Sequence, residues 1–276
     1  MTKRILTIQD ISCVGQCSLT VALPIVSACG VETAILPGSV LSTHTGGFTG
    51  FTFKDLTDEM PKIRAHWEKE GIKFDAVYTG YLSETQIPQS IAIIDSCAKA
   101  GAPIIVDPAM ADNGKLYFGF GDDFPSKMAK LCAKADYVLP NITEAAFLTG
   151  NEIKLSGYDE SYIDKLLQGL IDLGAKNALL TGVSFDEKSL GIALYDGKHK
   201  QYYFNEKINK SLHGTGDIYA SVFTGALIRG ASPISAAALA ADFVVECIKN
   251  TPDEHSYGAC FEPSLSSLGE KISKII

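Results

Sequence analysis

The chain has 276 residues, 46% of them apolar and 20% charged, with a formal net charge of −8. That supplies a large core and leaves no segment disordered by composition. It excludes a non-specific nucleic-acid binder, which needs a basic face, and the apolar stretch 236–245 is broken by Asp242 and falls short of a membrane span. Residues 4–8 read as a buried strand. Residues 18–29 read as a helix with a stripe of Leu19, Ala22, Leu23 and Val26; Pro24 inside it should kink or strain it, and Gly30 ends it. Residues 31–36 are a second strand and 38–50 a loop rich in Gly, Ser and Thr. An amphipathic helix over 55–70, a strand over 74–79 and a helix over 83–100 follow, each helix closed by a glycine, Gly71 or Gly101.

Residues 103–107 (P-I-I-V-D) form another buried strand ending in an acid, and 112–122 a Gly-containing loop. A helix over 123–135 and a short strand over 137–139 lead to a short helix that Thr143 should cap. A helix over 159–173 and a strand over 177–181 precede a hairpin, 191–195 and 198–204 about Asp196-Gly197. Helical stretches over 218–229, 233–250 and 263–273 complete the chain. Strand and helix alternate through residue 181, which predicts an α/β fold. Its sheet should be mainly parallel with helices on both faces and the hairpin an antiparallel extension of one edge. With no repeat or linker, a single domain over 1–276 is expected.

The N-terminal stretch 1–9 is too short for a signal peptide. The seven Cys are scattered without C-x-x-C spacing, the pattern of free thiols in a reducing cytosol, and no pair has zinc-ligand spacing.

Ligands of an open parallel sheet bind at the carboxyl ends of its strands. The residues expected there are Asp10 and Ser12; His44 and Thr45; Gly80 and Tyr81; Asp107; Asn141 and Glu144; Thr181 and Gly182. The turn Gly214-Thr215-Gly216-Asp217 opens an apolar helical run, so its backbone N–H groups either cradle an anion with an acid beside it or simply form a flexible helix start. A carboxylate next to a bound phosphate has a use if it accepts the proton of an attacking hydroxyl. Asp107 and Glu144 suit Mg²⁺, which prefers oxygen ligands, or else cap the elements they sit on. His44 either packs beside a ring substrate or hydrogen-bonds locally, and Tyr81 either lines a pocket or packs in the core.

The segments I-Q-D-I-S-C-V-G (8–15), S-T-H-T-G (42–46), Y-T-G-Y-L (78–82), V-D-P (106–108), P-N-I-T-E (140–144), L-L-T-G (179–182) and G-T-G-D (214–217) resemble the vitamin B6 kinases of the ribokinase-like superfamily. The resemblance implies transfer of the γ-phosphoryl group of ATP to the 5′-hydroxymethyl of pyridoxal, pyridoxine or pyridoxamine. It implies Asp217 as general base and Gly214, Thr215 and Gly216 as anion hole. It places Mg²⁺-ATP at Asn141 and Glu144, with Asp107 nearby, and a phosphate contact at Thr181, next to Gly182. Thr45 and Tyr81 line the ring pocket, with His44 beside them, and residues 112–121 are the candidate flap over ATP. Relatives imply a homodimer and, often, a monovalent cation. One departure is that Asp10 stands where the family often has Ser, with Ser12 the nearest hydroxyl. An acid there accepts a hydrogen bond from the ring hydroxyl or pairs with a protonated ring nitrogen or amine, so the preferred vitamer stays open. Hydroxymethylpyrimidine kinases of the same superfamily share the turn and the metal acid, although their Gly-Ser-Asp opening is missing here. A B6- or nucleotide-binding protein without turnover is the remaining alternative.

Overall fold

In the computed structural model, which describes residues 2–276, the apolar residues of the central strands are buried on both faces and hold helices there. The strands are β1 (Arg4–Ser12), β2 (Glu32–Leu41), β3 (Phe53–Asp55), β4 (Ala76–Thr79), β5 (Ile104–Val106), β6 (Ala111–Asp112), β7 (Lys115–Leu116), β8 (Tyr137–Val138), β9 (Asn177–Val183), β10 (Ser189–Tyr195) and β11 (Lys200–Glu206). The helices are α1 (Leu19–Ala28), α2 (Met60–Lys69), α3 (Gln86–Cys97), α4 (Phe124–Cys132), α5 (Ile142–Thr149), α6 (Glu160–Asp172), α7 (Thr215–Arg229), α8 (Pro233–Asn250) and α9 (Glu262–Ser273).

The main sheet runs β11-β10-β9-β8-β5-β4-β1-β2-β3, and β6 pairs with β7 in a separate hairpin. From β2 to β9 every neighbouring pair is parallel. Both edges are antiparallel: β10 and β11 on one side, as expected, and the three-residue β3 on the other, which was not. Leu6, Ile8, Val77, Val106 and Leu180 face one core, with α2 to α6. Ile5, Tyr78, Ile105 and Leu179 face the other, with α1, α7, α8 and α9.

Several boundaries depart from the expectations in ways that bear on the cleft. β1 does not stop at Ile8 but continues to Ser12 beside β2, so Gln9, Asp10 and Ser12 are strand residues. β9 likewise continues through Gly182 to Val183. The first turn of the expected helix over 55–70 is instead the end of β3 and a 3₁₀ turn, with Pro61 in the first turn of α2. Helix α1 runs unbroken through Pro24. Its N-terminal neighbour Ser18 has φ 55 and ψ −132, a region almost closed to residues with a Cβ. No helix among the described residues is long and apolar enough to cross a membrane. All seven cysteines are free.

Candidate active site

The candidate site, here called the cleft, lies where strand ends meet the first turns of α5 and α7, close enough that Glu144 and Asp217 act on Asp107 and Asp10 acts on Asp217. Two irregularities in strand pairing shape it. Between Gln9 and Ile11 the register of β1 on β2 shifts by one residue, which places Asp10 opposite the irregularity. Between β9 and β10, Gly182 is the extra residue of a bulge and has φ 75, which favours glycine. Bulges at strand ends re-aim side chains and end the pairing.

At α7 the helix cap is Gly214, with φ 78 and no side-chain cap. A Cβ on Gly214 would lie 1.7 Å from the carbonyl oxygen of Gln16, so only glycine lets the two loops touch. The first backbone N–H groups of a helix have no carbonyl partner within it, and here they belong to Thr215, Gly216 and Asp217 at the cleft. Thr215 donates its hydroxyl to Leu212 O at 3.3 Å, which leaves its N–H for a ligand. Asp217 is half-buried by surface area. The protein packed around its carboxyl raises its pKa to about 7; the Ser18 backbone opposes the rise and the charge of Asp10 adds to it.

Asp10 is buried, and its Oδ2 accepts the Ser12 hydroxyl at 3.1 Å. Burial raises its pKa, against hydrogen bonds from Ser18 and Ser12. Tyr81, whose hydroxyl is held protonated by burial and then by Asp10, stacks on Phe120 with centroids 5.4 Å apart. Phe120 in turn stacks on Phe124 at 3.8 Å. Thr45 is exposed and the buried hydroxyl of the adjacent Thr43 has no partner.

At α5 the arrangement is of another kind. The cap is Asn141, not Thr143 as the sequence suggested. Asn141 Oδ1 accepts Glu144 N–H at 2.9 Å, and Glu144 Oε2 accepts Asn141 N–H at 2.8 Å, a capping box. Glu144 Oε1 also accepts Met110 N–H at 3.0 Å and Ala111 N–H at 3.4 Å, while Asn141 Nδ2 donates to Ala111 O at 2.8 Å. Thr143, displaced from the cap, accepts Gly114 N–H at 3.1 Å. These bonds tie the hairpin β6–β7, the candidate flap, to α5, and Tyr117 N–H donates to Met110 O at 2.8 Å behind it. Asn141 also pairs with Thr181 across a β-bridge, and Thr181 N–H donates to Pro140 O at 2.9 Å.

Burial raises the pKa of both Asp107 and Glu144; the charges of Glu144 and Asp217 add to the rise at Asp107, and that of Asp112 to the rise at Glu144. Three backbone donors favour the charged form of Glu144; Asp107 has no such set and is the member pushed further up. Among the described residues no three His, Cys, Asp or Glu side chains cluster as a metal cage. Two carboxylates with oxygen donors fit Mg²⁺, which keeps several waters and completes its shell on phosphate oxygens.

His44 is placed differently from a residue that hydrogen-bonds a substrate. It is buried, its Nδ1 accepts Gly46 N–H at 3.1 Å, and its Nε2 lies 3.2 Å from Tyr257 O. Those partners make the ring a neutral Nε2–H tautomer, and burial, with His213 5.1 Å away, lowers its pKa. A Cβ on Gly15 would lie 1.9 Å from His44 Cδ2. The histidine therefore pins the loops before α1, after β2 and before α9, and has no ring nitrogen left for a hydrogen bond to substrate. Ser18, Tyr117, Phe120 and Tyr257 belong to this cleft and were not picked out from the sequence. Only Ser18, directly before a helix, carried a local signal.

This mainly parallel sheet with helices on both faces is a ribokinase-like fold. Residues 26–262 match the phosphomethylpyrimidine kinase family, and the chain belongs to it. Among solved structures, a putative phosphomethylpyrimidine kinase from Bacteroides thetaiotaomicron, crystallised with pyridoxal, is 36% identical. It superposes with a TM-score of 0.90 over 97% of this chain and 96% of that one. Pyridoxal kinase from Lactobacillus plantarum is 31% identical, with a TM-score of 0.87 over 97% of each chain. A hydroxymethylpyrimidine/phosphomethylpyrimidine kinase of Bacillus subtilis (strain 168) is 28% identical over 223 residues, 79% of this chain and 77% of that protein.

Proposed function

We propose that this protein phosphorylates the 5′-hydroxymethyl group of the vitamin B6 vitamers pyridoxal, pyridoxine and pyridoxamine with ATP. The observation that carries the reading is Asp217, an uncapped acid in the first turn of α7 beside unpaired N–H groups. The substrate class is supported by the relative crystallised with pyridoxal. Asp217 takes the proton of the attacking hydroxyl, and its raised pKa suits a base working near neutrality. The N–H groups of Gly214, Thr215 and Gly216 hold the transferred phosphoryl group and the charge that develops on it. Asp107 and Glu144 would hold Mg²⁺, which when bound neutralises phosphate charge. Asn141, Thr181 and Gly182 shape the nucleotide side of the cleft. Asp10, Ser12, Thr45 and Tyr81 line the ring side, with the carbon edge of His44 behind them. The same reading includes a single domain over residues 1–276, a cytosolic enzyme, a homodimer and a monovalent-cation requirement.

A second reading, phosphorylation of hydroxymethylpyrimidine, is favoured by the family match and by the Bacillus subtilis relative. An ATP-consumption assay with the three vitamers and the pyrimidine alcohol separates the two. A kcat/KM for one vitamer at least tenfold above that of the pyrimidine is expected. The reverse order assigns the pyrimidine, and tight ring binding without turnover of any alcohol makes the chain a binding protein.

A further inference from the structure

The ring side of the cleft has a charge imbalance that its own residues do not correct. Asp10 is 5% exposed. The groups acting on it or acted on by it lie on its own strand, before α1, after β4 and on α7, and neighbouring β2 adds only Gly38 and Ser39 opposite it. Those groups are Ser12 on its own strand, Cys17 and Ser18 before α1, Tyr81 after β4 and Asp217 on α7. None is a cation. The two serines supply hydroxyl donors and no charge. The Cys17 thiol is pushed up by burial and then by Asp217 and Asp10, so it stays an S–H. Ser18 holds a strained backbone while its hydroxyl serves Asp10 and its main chain serves Asp217. A buried carboxylate without a countercharge is costly, and here a second carboxylate faces it. ATP, the other reactant, brings only more negative charge.

On the reading that the cleft binds a ring alcohol, we propose that Asp10 determines specificity. It pairs with a positively charged N–H donor of that alcohol, on a protonated ring nitrogen or on an aminomethyl ammonium group. A ring hydroxyl would satisfy a lone pair of Asp10 but would not balance its charge. The register shift beside Asp10, with Gly38 and Ser39 of β2 opposite it, interrupts the regular β1–β2 pairing at this carboxylate.

Isothermal titration tests this with pyridoxine, pyridoxamine and the carbocyclic analogue of pyridoxine, in which C–H replaces the ring nitrogen. Asp10→Asn should weaken pyridoxine and pyridoxamine by about tenfold to a hundredfold, the usual loss of a charge-assisted hydrogen bond. The analogue should change by less than about twofold, and KM for ATP should hold. Loss for both natural ligands assigns the ring nitrogen; loss for pyridoxamine alone assigns the ammonium group. Three results overturn the proposal: an equal loss for the analogue, no loss for any ligand, or an altered Mg²⁺ or K⁺ requirement with ring affinity unchanged. If Asp10→Asn does not fold, the wild-type protein decides. It should bind pyridoxine or pyridoxamine at least about tenfold more tightly than the analogue, and equal affinity for all three, or no binding of any, overturns the proposal. Turnover is read separately. The expected binding pattern without phosphorylation speaks against the kinase reading and leaves the role of Asp10 standing. Phosphorylation with a flat binding pattern removes the role of Asp10 alone.

Discussion

Helices α5 and α7 both start at the cleft with an acid in the first turn, and the two acids are in opposite conditions. Glu144 is enclosed: its oxygens accept three backbone N–H groups within 3.0 Å or at 3.4 Å, and it closes a capping box. Asp217 has no capping role, its helix begins on a glycine, and the Ser18 backbone is the one group favouring its charged form. An acid saturated with donors is held in one position and holds others. Burial raises both carboxyls, Glu144 to about 8 and Asp217 to about 7, so the difference lies in the donors: an acid with few of them is free to exchange a proton. A carboxylate at the same helical position thus supports structure at one helix and, on the proposed reading, chemistry at the other.

The largest break of this comparison should come from Asp217→Asn. Removing a positioned base costs about 10²–10⁴-fold in turnover, while the near-isosteric amide leaves the fold and ATP binding intact. A kcat within threefold or so of wild type would assign the proton to another group. Next comes Gly214→Ala, which separates the helix start from the acid. A Cβ there meets Gln16 O at 1.7 Å with φ at 78. Overpacking costs about 1–3 kcal/mol and a left-handed backbone about 1–2 kcal/mol more. Denaturant melts should show that loss, and kcat should fall as the N–H groups shift; unchanged stability would mean the two loops are not in contact. Glu144→Gln should act through structure first. Its amide cannot accept from all the donors that the carboxylate serves, and a buried donor left unpaired costs about 1–3 kcal/mol. The midpoint of urea unfolding should fall, with a raised Mg²⁺ requirement; a purely kinetic effect would place Glu144 with Asp217 rather than opposite it.

How much of this contrast the sequence carried depends on the range of the contacts. The alternation of strands and helices, the closing glycines and the Asp196-Gly197 hairpin are local signals, and they located most of the fold. β1 was cut short because Gln9 and Asp10 interrupt its apolar run, although its pairing with β2 continues to Ser12. β3, β6 and β7 have two or three residues, too few to show a period. Thr143 looked like the cap because it is a hydroxyl residue before an apolar run; Asn141 takes the role because the Glu144 side chain reaches back to it. The two possibilities left open for His44 are separated by a partner 213 positions away, Tyr257, which no local pattern reveals. The strain at Ser18 is equally remote, since it serves acids on β1 and α7.

The smallest effect tests the same contrast through stability. The pKa of Asp217 is raised in the folded protein from about 3.8 to about 7. For a group raised on folding, the unfolded state releases its proton first as pH rises. Folding is therefore favoured below the unfolded pKa, and that contribution disappears as pH climbs through the folded one. Asp217→Asn removes this penalty. The mutant should melt at a higher temperature than wild type at pH 8, and the gain should vanish below about pH 4. Wild-type kcat/KM should fall in parallel as pH drops below about 7, where the carboxyl gains its proton. The pKa of Glu144 is raised too, to about 8, so Glu144→Gln removes a like penalty at pH 8, and its loss of stability from donors left unpaired should be largest below about pH 4. A loss for Glu144→Gln below about pH 4, where Asp217→Asn gains nothing, is what the difference in their donors requires.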